Sequence, residues 1–159
     1  MTGKEYVAGL VCTNYGTITN SYATGNVNGS KYVGGLVGEN DSTIINSYST
    51  GRVSGTSYVG GLVGRSYRGI TTKSFWDIET SGQSTSAGGI GITSVEMKQL
   101  STFSSWNNTT QNTITNSGGN GAIWRIYEGY TAPLLASFQT PLTYGNVVRF
   151  LMGNLKGVQ

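Results

Sequence analysis

A repeat of 26 residues is the feature that most restricts how this chain can fold. Segment 6–29 is identical to segment 32–55 at 15 of 24 positions, and segment 58–64 copies segment 32–38 without change. A fixed period of this length is typical of solenoid proteins, in which each repeat packs against its neighbours along one axis. The sequence therefore predicts a stack of similar units.

The strand-favouring pieces within one repeat are short and are separated by turn residues. In the second repeat they are residues 32–37, residues 43–48 and the region around Val53. None has the 3.6-residue periodicity of a helix. We therefore predict an all-β fold: a parallel β-helix, or β-solenoid, with 26-residue coils of two or three strands each. A row of β-hairpins, as in propeller blades, is the competing arrangement, but three units are too few to close a propeller.

Stacked coils place each residue next to its copy, at the strand spacing of about 4.8 Å. The predicted rows are an aliphatic one of Ile18, Ile44 and Ile70, an aromatic one of Tyr22, Tyr48 and Phe75, and an amide ladder of Asn20 and Asn46. The third row would share side-chain hydrogen bonds between coils. The alignment keeps Ile70 in register with Ile44 and requires one inserted residue between Ile70 and Phe75.

Three regions follow from the repeat and its end. Residues 1–74 are predicted to form the coils, and residues 75–141 to form a mixed C-terminal capping region, because the last coil of a solenoid needs a cover. Residues 142–159 form a tail of unknown structure. Its apolar run, residues 147–152, is too short to cross a membrane.

Local patterns after the repeats are weaker. Residues 76–91 read as a loop, residues 113–117 repeat 17–21 and hint at a degenerate further coil, and residues 122–127 read as a strand. One short helix is predicted over residues 95–100. Its predicted cap is Thr93 or Ser94, with Glu96 in the first turn.

Composition excludes several functions. The chain has no histidine and a single cysteine, Cys12, so a His-based triad, a His metal site and an internal disulfide are ruled out. Charged residues make up 11% of the chain, and the net charge is +3. The densest basic group, Arg65, Arg68 and Lys73, is interpreted as a solvated loop, so we expect no nucleic-acid partner. No apolar stretch is long enough for a membrane span.

Acidic residues offer two close pairs for catalysis or cation binding. Glu39 with Asp41, and Asp77 with Glu79, have the i, i+2 spacing that places both carboxylates on one face of a strand. Neither pair recurs in the next coil, and ordinary turn roles are favoured over a calcium site. We therefore predict no enzyme activity, no catalytic residues, no metal site and no cofactor.

Aromatic residues are the better candidates for ligand contact. The residues predicted to stack on sugar rings are Tyr15, Tyr67, Tyr127 and Tyr130. Trp106 shares this pattern, but packing within the capping region is favoured for it and for Trp76 and Trp124.

The repeat units resemble a known bacterial motif. Tyr-Val-Gly-Gly-Leu-Val-Gly and Asn-Ser-Tyr-Ser-Thr-Gly resemble the GLUG repeat, common in large bacterial surface proteins of the filamentous-haemagglutinin type. The segment from Phe75 to Trp106 is similar to the block that often ends such arrays, and the likeness covers residues 6–141. Cys12 stands where the repeat usually has Gly, and Ser66 where it usually has Asn.

This resemblance implies a non-catalytic structural or adhesive segment of an exported bacterial adhesin. The location it implies is secreted or at the bacterial cell surface, often through a dedicated outer-membrane partner. The implied partners are upstream and downstream segments of a larger adhesin, together with host or environmental glycans or proteins. The alternative is a carbohydrate-binding or polysaccharide-active protein, because parallel β-helices also carry lyases and hydrolases.

The first coil begins almost at Met1, and no cap precedes it. We therefore expect further coils upstream in a parent protein, and self-association or low stability at this end of the isolated chain. The corresponding prediction is that amides of residues 6–12 exchange much faster than those of residues 32–38.

Overall fold

The computed structural model describes residues 1–107, 113–117 and 121–138, most of which wind into three coils of short strands. The first coil contains β1 (Glu5–Ala8), β2 (Val11–Asn14), β3 (Thr17–Thr19), β4 (Tyr22–Ala23) and β5 (Val27–Asn28). The second contains β6 (Lys31–Gly34), β7 (Val37–Asn40), β8 (Thr43–Ile45), β9 (Tyr48–Ser49) and β10 (Val53–Ser54). The third contains β11 (Ser57–Gly60), β12 (Val63–Ser66), β13 (Ile70–Thr72) and β14 (Phe75–Asp77).

Each coil has more strands than the two or three that the sequence predicted. Predicted piece 32–37 is divided into β6 and β7 by a bend, and piece 43–48 is divided into β8 and β9 at Asn46. Asn46 has a left-handed backbone with φ of 50°, which asparagine tolerates better than most residues. Its counterparts in the other coils, Asn20 and Lys73, both have φ of 48°. A corner therefore recurs at the same place in every coil.

Equivalent strands of successive coils pair in parallel. Val33 pairs with Val7 on one side and Val59 on the other, and Ile18 lies directly beside Ile44. The resulting sheets are ordered β1-β6-β11, β12-β7-β2 and β13-β8-β3, with β10 paired to β5. The predicted parallel β-helix and the contact between Ile18 and Ile44 are therefore confirmed.

The insertion in the third coil lies earlier than the sequence alignment placed it. Ser66 still pairs with Asn40 at a spacing of 26, but Ile70 pairs with Thr43 and Thr71 with Ile44, at a spacing of 27. The prediction that Ile70 extends the aliphatic row is therefore wrong. Its side chain is 62% exposed, because the extra residue in the preceding turn moves β13 by one position and reverses its faces.

Aliphatic side chains fill the interior of the coils. One buried cluster contains Leu36, Ile44 and Leu62, all of which are fully buried. The indole of Trp76, in the third coil, packs in the same cluster. A second, smaller cluster is made of valines: Val7, Val27, Val33 and Val53. Burial of apolar area in these two clusters is the main stabilising contribution available to so short a repeat.

Glycine is required where neighbouring coils approach most closely. A Cβ added at Gly35 would lie 2.1 Å from the carbonyl oxygen of Gly61, and one added at Gly9 would lie 2.3 Å from that of Gly35. Neither distance is possible for real atoms, so these positions have no room for a side chain. The second glycine of the pair, Gly35, thus follows from coil stacking, whereas a Cβ at the first, Gly34, would lie 1.9 Å from the Val37 carbonyl oxygen of its own coil.

The amide ladder forms at a different position from the one predicted. The Asn14 Nδ2 donates to Asn40 Oδ1 at 2.7 Å, and both side chains are buried. The predicted ladder of Asn20 and Asn46 is wrong. Asn20 Oδ1 accepts instead from the indole nitrogen of Trp124, and Asn46 Oδ1 is buried with no hydrogen-bond partner. Both residues lie at the left-handed corner described above, where the side chain does not point along the face of a strand.

The segment after β14 covers the third coil. It begins with a short helix, α1 (Ile78–Ser81), in the region that the sequence predicted as loop, and ends with β15 (Ile90–Ile92), which pairs in parallel with β14. Between them, the Gly61 amide donates to the Thr85 carbonyl and the Ala87 amide donates to the Val63 carbonyl. Residues 85–92 therefore lie on the open edge of the third coil.

The predicted helix over residues 95–100 is shorter and of a tighter type. Residues Glu96–Lys98 form one turn of 3₁₀ helix, and Leu100–Trp106 form a second 3₁₀ helix. The predicted cap is present: Glu96 N donates to Thr93 Oγ1, and the Thr93 backbone N–H donates to Glu96 Oε2 at 2.8 Å. The Thr93 backbone N–H and hydroxyl, which both donate to Glu96 Oε2, hold the pKa of Glu96 below its usual value.

A lateral layer lies beside the coils and consists of residues 93–107, 113–117 and 121–138. Its buried side chains are Met97, Phe103, Trp106, Ile114, Trp124 and Ile126. They pack against Tyr48 and Phe75, whose neighbours in sequence, Ser49 and Trp76, face the coil interior. The aromatic row is thus on the outer face of the coils, with the Tyr22 and Tyr48 rings stacked at 5.3 Å.

A small separate sheet completes the lateral layer. Strand β16 (Ile114–Thr115) pairs in parallel with β17 (Trp124–Arg125), which pairs antiparallel with β18 (Leu134–Leu135). The likeness of residues 113–117 to residues 17–21 therefore does not produce a further coil on the stack. A last 3₁₀ turn spans Ala136–Phe138. The tail, residues 142–159, lies outside the described residues, as does its apolar run.

None of the helices among the described residues has the length and apolar character needed to cross a membrane.

Candidate functional site

A ladder of three tyrosines runs along the outside of the coils. Tyr6, Tyr32 and Tyr58 occupy the same repeat position, and their ring centroids are 4.7 and 5.1 Å apart. All three have a left-handed backbone, with φ between 52° and 55°, which is uncommon for a bulky residue and turns the ring out of the strand. In the sequence, these residues served only to define the repeat. Their identity in all three repeats was the signal that could have identified the ladder.

Exposure differs along the tyrosine ladder. Tyr32 is 8% exposed because its ring lies between the other two, whereas Tyr58 is 54% exposed. The inner ring is therefore largely closed to a ligand, and its hydroxyl accepts from Arg65 Nη1 at 3.3 Å, whereas more than half of Tyr58 is accessible. Desolvation and the nearby Glu39 carboxylate raise the pKa of Tyr6, so its phenol stays protonated at neutral pH.

Arg65 joins the ladder to the neighbouring turn. Its guanidinium lies 5.3 Å from the Tyr32 ring centroid and 5.8 Å from that of Tyr58, and Nη1 lies 3.3 Å from Glu39 Oε2. Desolvation opposes its charge, but Glu39 and the Tyr32 hydroxyl outweigh this effect, so the pKa of Arg65 is raised and it remains cationic. The ion pair thus holds the cation over aromatic faces.

Tyr67 extends this surface beyond the ladder. It is 61% exposed, and the guanidinium carbons of Arg65 and Arg68 lie 5.6 and 5.1 Å from its ring centroid. We call the group of Tyr58, Arg65, Tyr67 and Arg68 the Tyr–Arg face. It combines two exposed aromatic rings with two guanidinium groups, one of which is paired with a carboxylate. Rings of this kind stack on sugars and other flat ligands, and guanidinium groups donate to their oxygens.

The basic group inferred from the sequence is only partly assembled. Arg65 and Arg68 meet at the Tyr67 ring, whereas Lys73 lies at the next corner of the coil, where its carbonyl accepts from the Trp106 indole at 2.7 Å. With Arg65 also paired to Glu39, the arrangement has less net positive charge than its sequence density indicates.

The other predicted stacking residues lie apart. Tyr15 is 78% exposed in the turn that is equivalent to the turn of Tyr67 two coils away. Tyr127 is half-buried under Arg125, and Tyr130 is 84% exposed in the turn that follows. Within residues 1–107, 113–117 and 121–138, no ring contact joins these tyrosines to Tyr67. The structure thus places one of the four, Tyr67, in a larger aromatic and cationic group.

The three tryptophans are buried in packing positions. Trp76 and Trp106 are 6% and 2% exposed, and Trp124 is fully buried. Each indole nitrogen also has an acceptor, which for Trp76 is the Gln83 carbonyl at 3.0 Å. Their faces are occupied by other side chains and are closed to a sugar ring.

The acidic pairs differ in their contacts: Glu39 is paired with Arg65 while Asp41 Oδ1 is buried without a hydrogen-bond partner, and both members of the second pair are bonded locally. Asp77 is the N-cap of α1: its Oδ1 accepts from the amides of Glu79 and Thr80. The Ser94 hydroxyl donates to Asp77 Oδ2 at 2.7 Å, and the Ser94 amide donates to Glu79 Oε2. These bonds tie the end of the third coil to the lateral layer. Among the described residues, no group of three or more acidic or cysteine side chains is arranged to hold a metal ion.

Comparison with known families agrees with the coil boundaries. The family model of the GLUG motif matches residues 3–28 and 29–54, which are the first and second coils. No curated protein and no solved structure matches the chain. The chain therefore contains two GLUG motif repeats, and the third coil and the lateral layer lie outside the matched residues.

Proposed function

We propose that this chain is a non-catalytic structural and adhesive segment of an exported bacterial cell-surface adhesin. The observation that supports this most directly is the pair of GLUG repeats stacked in register as a parallel solenoid. Such a stack extends along one axis and repeats its outer surface from coil to coil. This suits a spacer that connects upstream and downstream segments of a filamentous-haemagglutinin-type protein.

The adhesive contact in this proposal is the Tyr–Arg face, and its ligand is a host or environmental glycan. Tyr58 is an exposed ring on strand β11, and Tyr67 is an exposed ring in the turn after β12, where the Arg65 and Arg68 guanidinium groups pack against it. Rings that are already held in place lose less conformational entropy when a sugar stacks on them. Arg68 supplies hydrogen-bond donors at the same surface. Buried tryptophans contribute no binding in this proposal.

A glycan array of the purified chain tests the adhesive role. We expect binding to one class of glycan, with the signal lost in Tyr67→Ala and weakened in Arg68→Ala. Tyr15→Ala is the matched control, because Tyr15 occupies the equivalent turn of the first coil without arginine neighbours. Binding that is unaffected by Tyr67→Ala, or lost equally in Tyr15→Ala, contradicts the assignment of the face. If no glycan binds, the segment is spacer only.

The export part of the proposal has its own test. Antibody against this segment should label intact cells of the source bacterium, and external protease should remove the label. Label that appears only after the cells are opened contradicts a surface location.

The proposal also includes the absence of catalysis. Asp77 and Glu79, one of the two close acidic pairs that could serve a β-helix lyase or hydrolase, are engaged in capping α1 and in bonds to Ser94. Incubation with a panel of polysaccharides should therefore release no products. Turnover that is abolished by Asp77→Asn contradicts this and supports the polysaccharide-active alternative.

A further inference from the structure

The first coil has an open edge. Each of its strands β1, β2, β3 and β4 has a partner on the side of the second coil and no partner on the other side among the described residues. Residues 1–3 already pair with β5, since the Gly3 amide donates to the Asn28 carbonyl and the Asn28 amide donates to the Met1 carbonyl. The remaining edge strands present unpaired backbone groups of the kind that accept another strand.

One repeat position determines what this edge can accept. Cys12, Gly38 and Gly64 are equivalent, each lying in the second strand of its coil. A Cβ added at Gly38 would lie 2.6 Å from the Cys12 carbonyl oxygen, and one added at Gly64 would lie 2.7 Å from that of Gly38. In both cases the added carbon points at the backbone of the preceding coil. Real Cβ atoms essentially never approach within 3.0 Å.

We propose that Cys12 determines the specificity of this edge: it bars a further coil from pairing with β2 in the 26-residue register. By the geometry of Gly38 and Gly64, a preceding coil would bring a carbonyl oxygen to within 2.6–2.7 Å of the Cys12 Cβ, closer than real Cβ atoms approach. Its side chain is exposed because no coil faces it. With glycine at position 12, the edge fits one partner, a GLUG-type coil added in parallel.

The same position has a second close neighbour within its own coil. The added Cβ would lie 2.9 Å from the carbonyl oxygen of Tyr32 at Gly38, and 2.8 Å from that of Tyr58 at Gly64. In the two inner coils, an added Cβ would clash both with the preceding coil and with the tyrosine carbonyl of its own coil. The backbone cannot move to relieve the second clash, because the preceding coil is in the way. In the first coil only the contact within the coil has to be relieved, so a side chain is tolerated at Cys12 and not at the inner positions.

A four-coil chain tests the proposal. A second copy of residues 29–54 is inserted between Thr2 and Gly3, which places the inserted Gly38 equivalent 26 residues before position 12. This chain is made with Cys12, with Cys12→Gly and with Cys12→Ser. Serine is the matched control, since it removes the thiol and keeps the Cβ. Hydrogen exchange is measured at residues 11–14 and in the inserted coil.

We expect slow exchange at residues 11–14 and in the inserted coil with Cys12→Gly, and fast exchange with cysteine or serine. Equal protection in the cysteine and glycine chains overturns the proposal, as does protection in the serine chain. The three-coil Cys12→Gly variant verifies by circular dichroism that the substitution itself is compatible with folding. If the four-coil Cys12→Gly chain also stays unprotected, it does not accept a coil, and the proposal is wrong.

The converse substitution tests the geometry inside the stack. Gly38→Ala adds the same Cβ where a preceding coil is present, and it should accelerate amide exchange in β2 and β7. Unchanged protection there removes the premise on which the assignment of Cys12 rests.

Discussion

The coils and the lateral layer bury side chains in different ways. In the coils, interior residues such as Val33 lie beside their own copies 26 residues away, here Val7 and Val59. In the lateral layer, contacts join unrelated residues: the Trp124 indole donates to Asn20, 104 residues away. The coils therefore depend on repetition of small and aliphatic residues, and the layer depends on a few large rings that fit one place.

The aromatic row is where the two regions meet. Tyr48 is almost fully buried, and burial raises the pKa of its hydroxyl, so the phenol is neutral at all physiological pH values. Because the two regions are stabilised differently, a substitution should destabilise each of them in a different way. Loss of one ring should release the layer as a unit, whereas loss of one aliphatic side chain should weaken a coil locally.

The largest effect is expected from Trp124→Ala. Trp124 is fully buried and contacts Trp106 at a ring distance of 5.0 Å and Tyr48 at 5.9 Å, so its loss should cost about 3–5 kcal/mol of unfolding free energy. Hydrogen exchange should show residues 97–106 losing protection while β6 and β7 keep it. Tyr130→Ala, at an exposed turn, is the control and should change stability by less than about 0.5 kcal/mol. Uniform loss of protection would mean that coils and layer unfold together.

Two equivalent leucines compare an inner coil with the end coil. Leu36 is fully buried and Leu10 is 47% exposed, although both occupy the same repeat position. Leu36→Ala should cost about 2–5 kcal/mol in a denaturant titration, because it leaves a cavity between coils. Leu10→Ala should cost much less, since its side chain is half in water. Equal losses would show that the first coil is covered in solution.

The buried amide pair gives a smaller effect. Asn40→Ala removes the acceptor of Asn14 and should cost about 1–3 kcal/mol, measured by thermal unfolding. Asn28→Ala is the control, since the bond from Ser54 to Asn28 is exposed and water replaces it. Similar melting temperatures for the two variants would contradict a stabilising role of the inner amide pair.

Exchange of the unmodified chain compares the end coil with its inner copy. Amides of residues 6–12 should exchange much faster than those of residues 32–38, because β1 and β2 have one neighbouring strand and β6 and β7 have two. Equal protection in a monomer would mean that another part of the chain covers the first coil. Protection that rises with protein concentration would indicate self-association at this edge.

The smallest effect is a pH dependence in the lateral layer. The hydrogen bonds from Thr93 lower the pKa of Glu96 in the folded chain, so its contribution to stability is present above the usual glutamate pKa. That contribution is lost as the pH falls through the lowered pKa. The stability difference between the parent chain and Glu96→Gln should therefore shrink as the pH falls below the usual glutamate pKa of about 4.3. A constant difference across this range contradicts the assignment.

Particular residues show where sequence reasoning was sufficient and where it was not. Ile18 and Ile44 were predicted as neighbours because an unbroken 26-residue period leaves one register. Ile70 was placed wrongly because letter matching cannot locate an insertion inside a turn of variable sequence. The amide pair was assigned to Asn20 instead of Asn14, since the left-handed corner that redirects Asn20 is not visible in residue identities.

The candidate site shows the same division. Tyr67 was predicted to stack on sugar rings, but its grouping with Arg65 and Tyr58 depends on which turn lies beside which coil. The tyrosine ladder could have been predicted from its repetition, given that stacked copies lie about 4.8 Å apart. The capping role of Asp77 was missed because a four-residue helix has too few positions for a periodic pattern.

By itself, the sequence determined that this chain winds into parallel coils. The same local features recur along the chain: the 26-residue period, the paired glycines and the aliphatic residues. Stacked parallel coils are compatible with all of these features at once. Only the tertiary structure decided that the C-terminal residues pack beside the coils as well as over their end. That choice depends on the fit of single rings such as Trp124 against the outer face of β4 and β9, which no local pattern encodes.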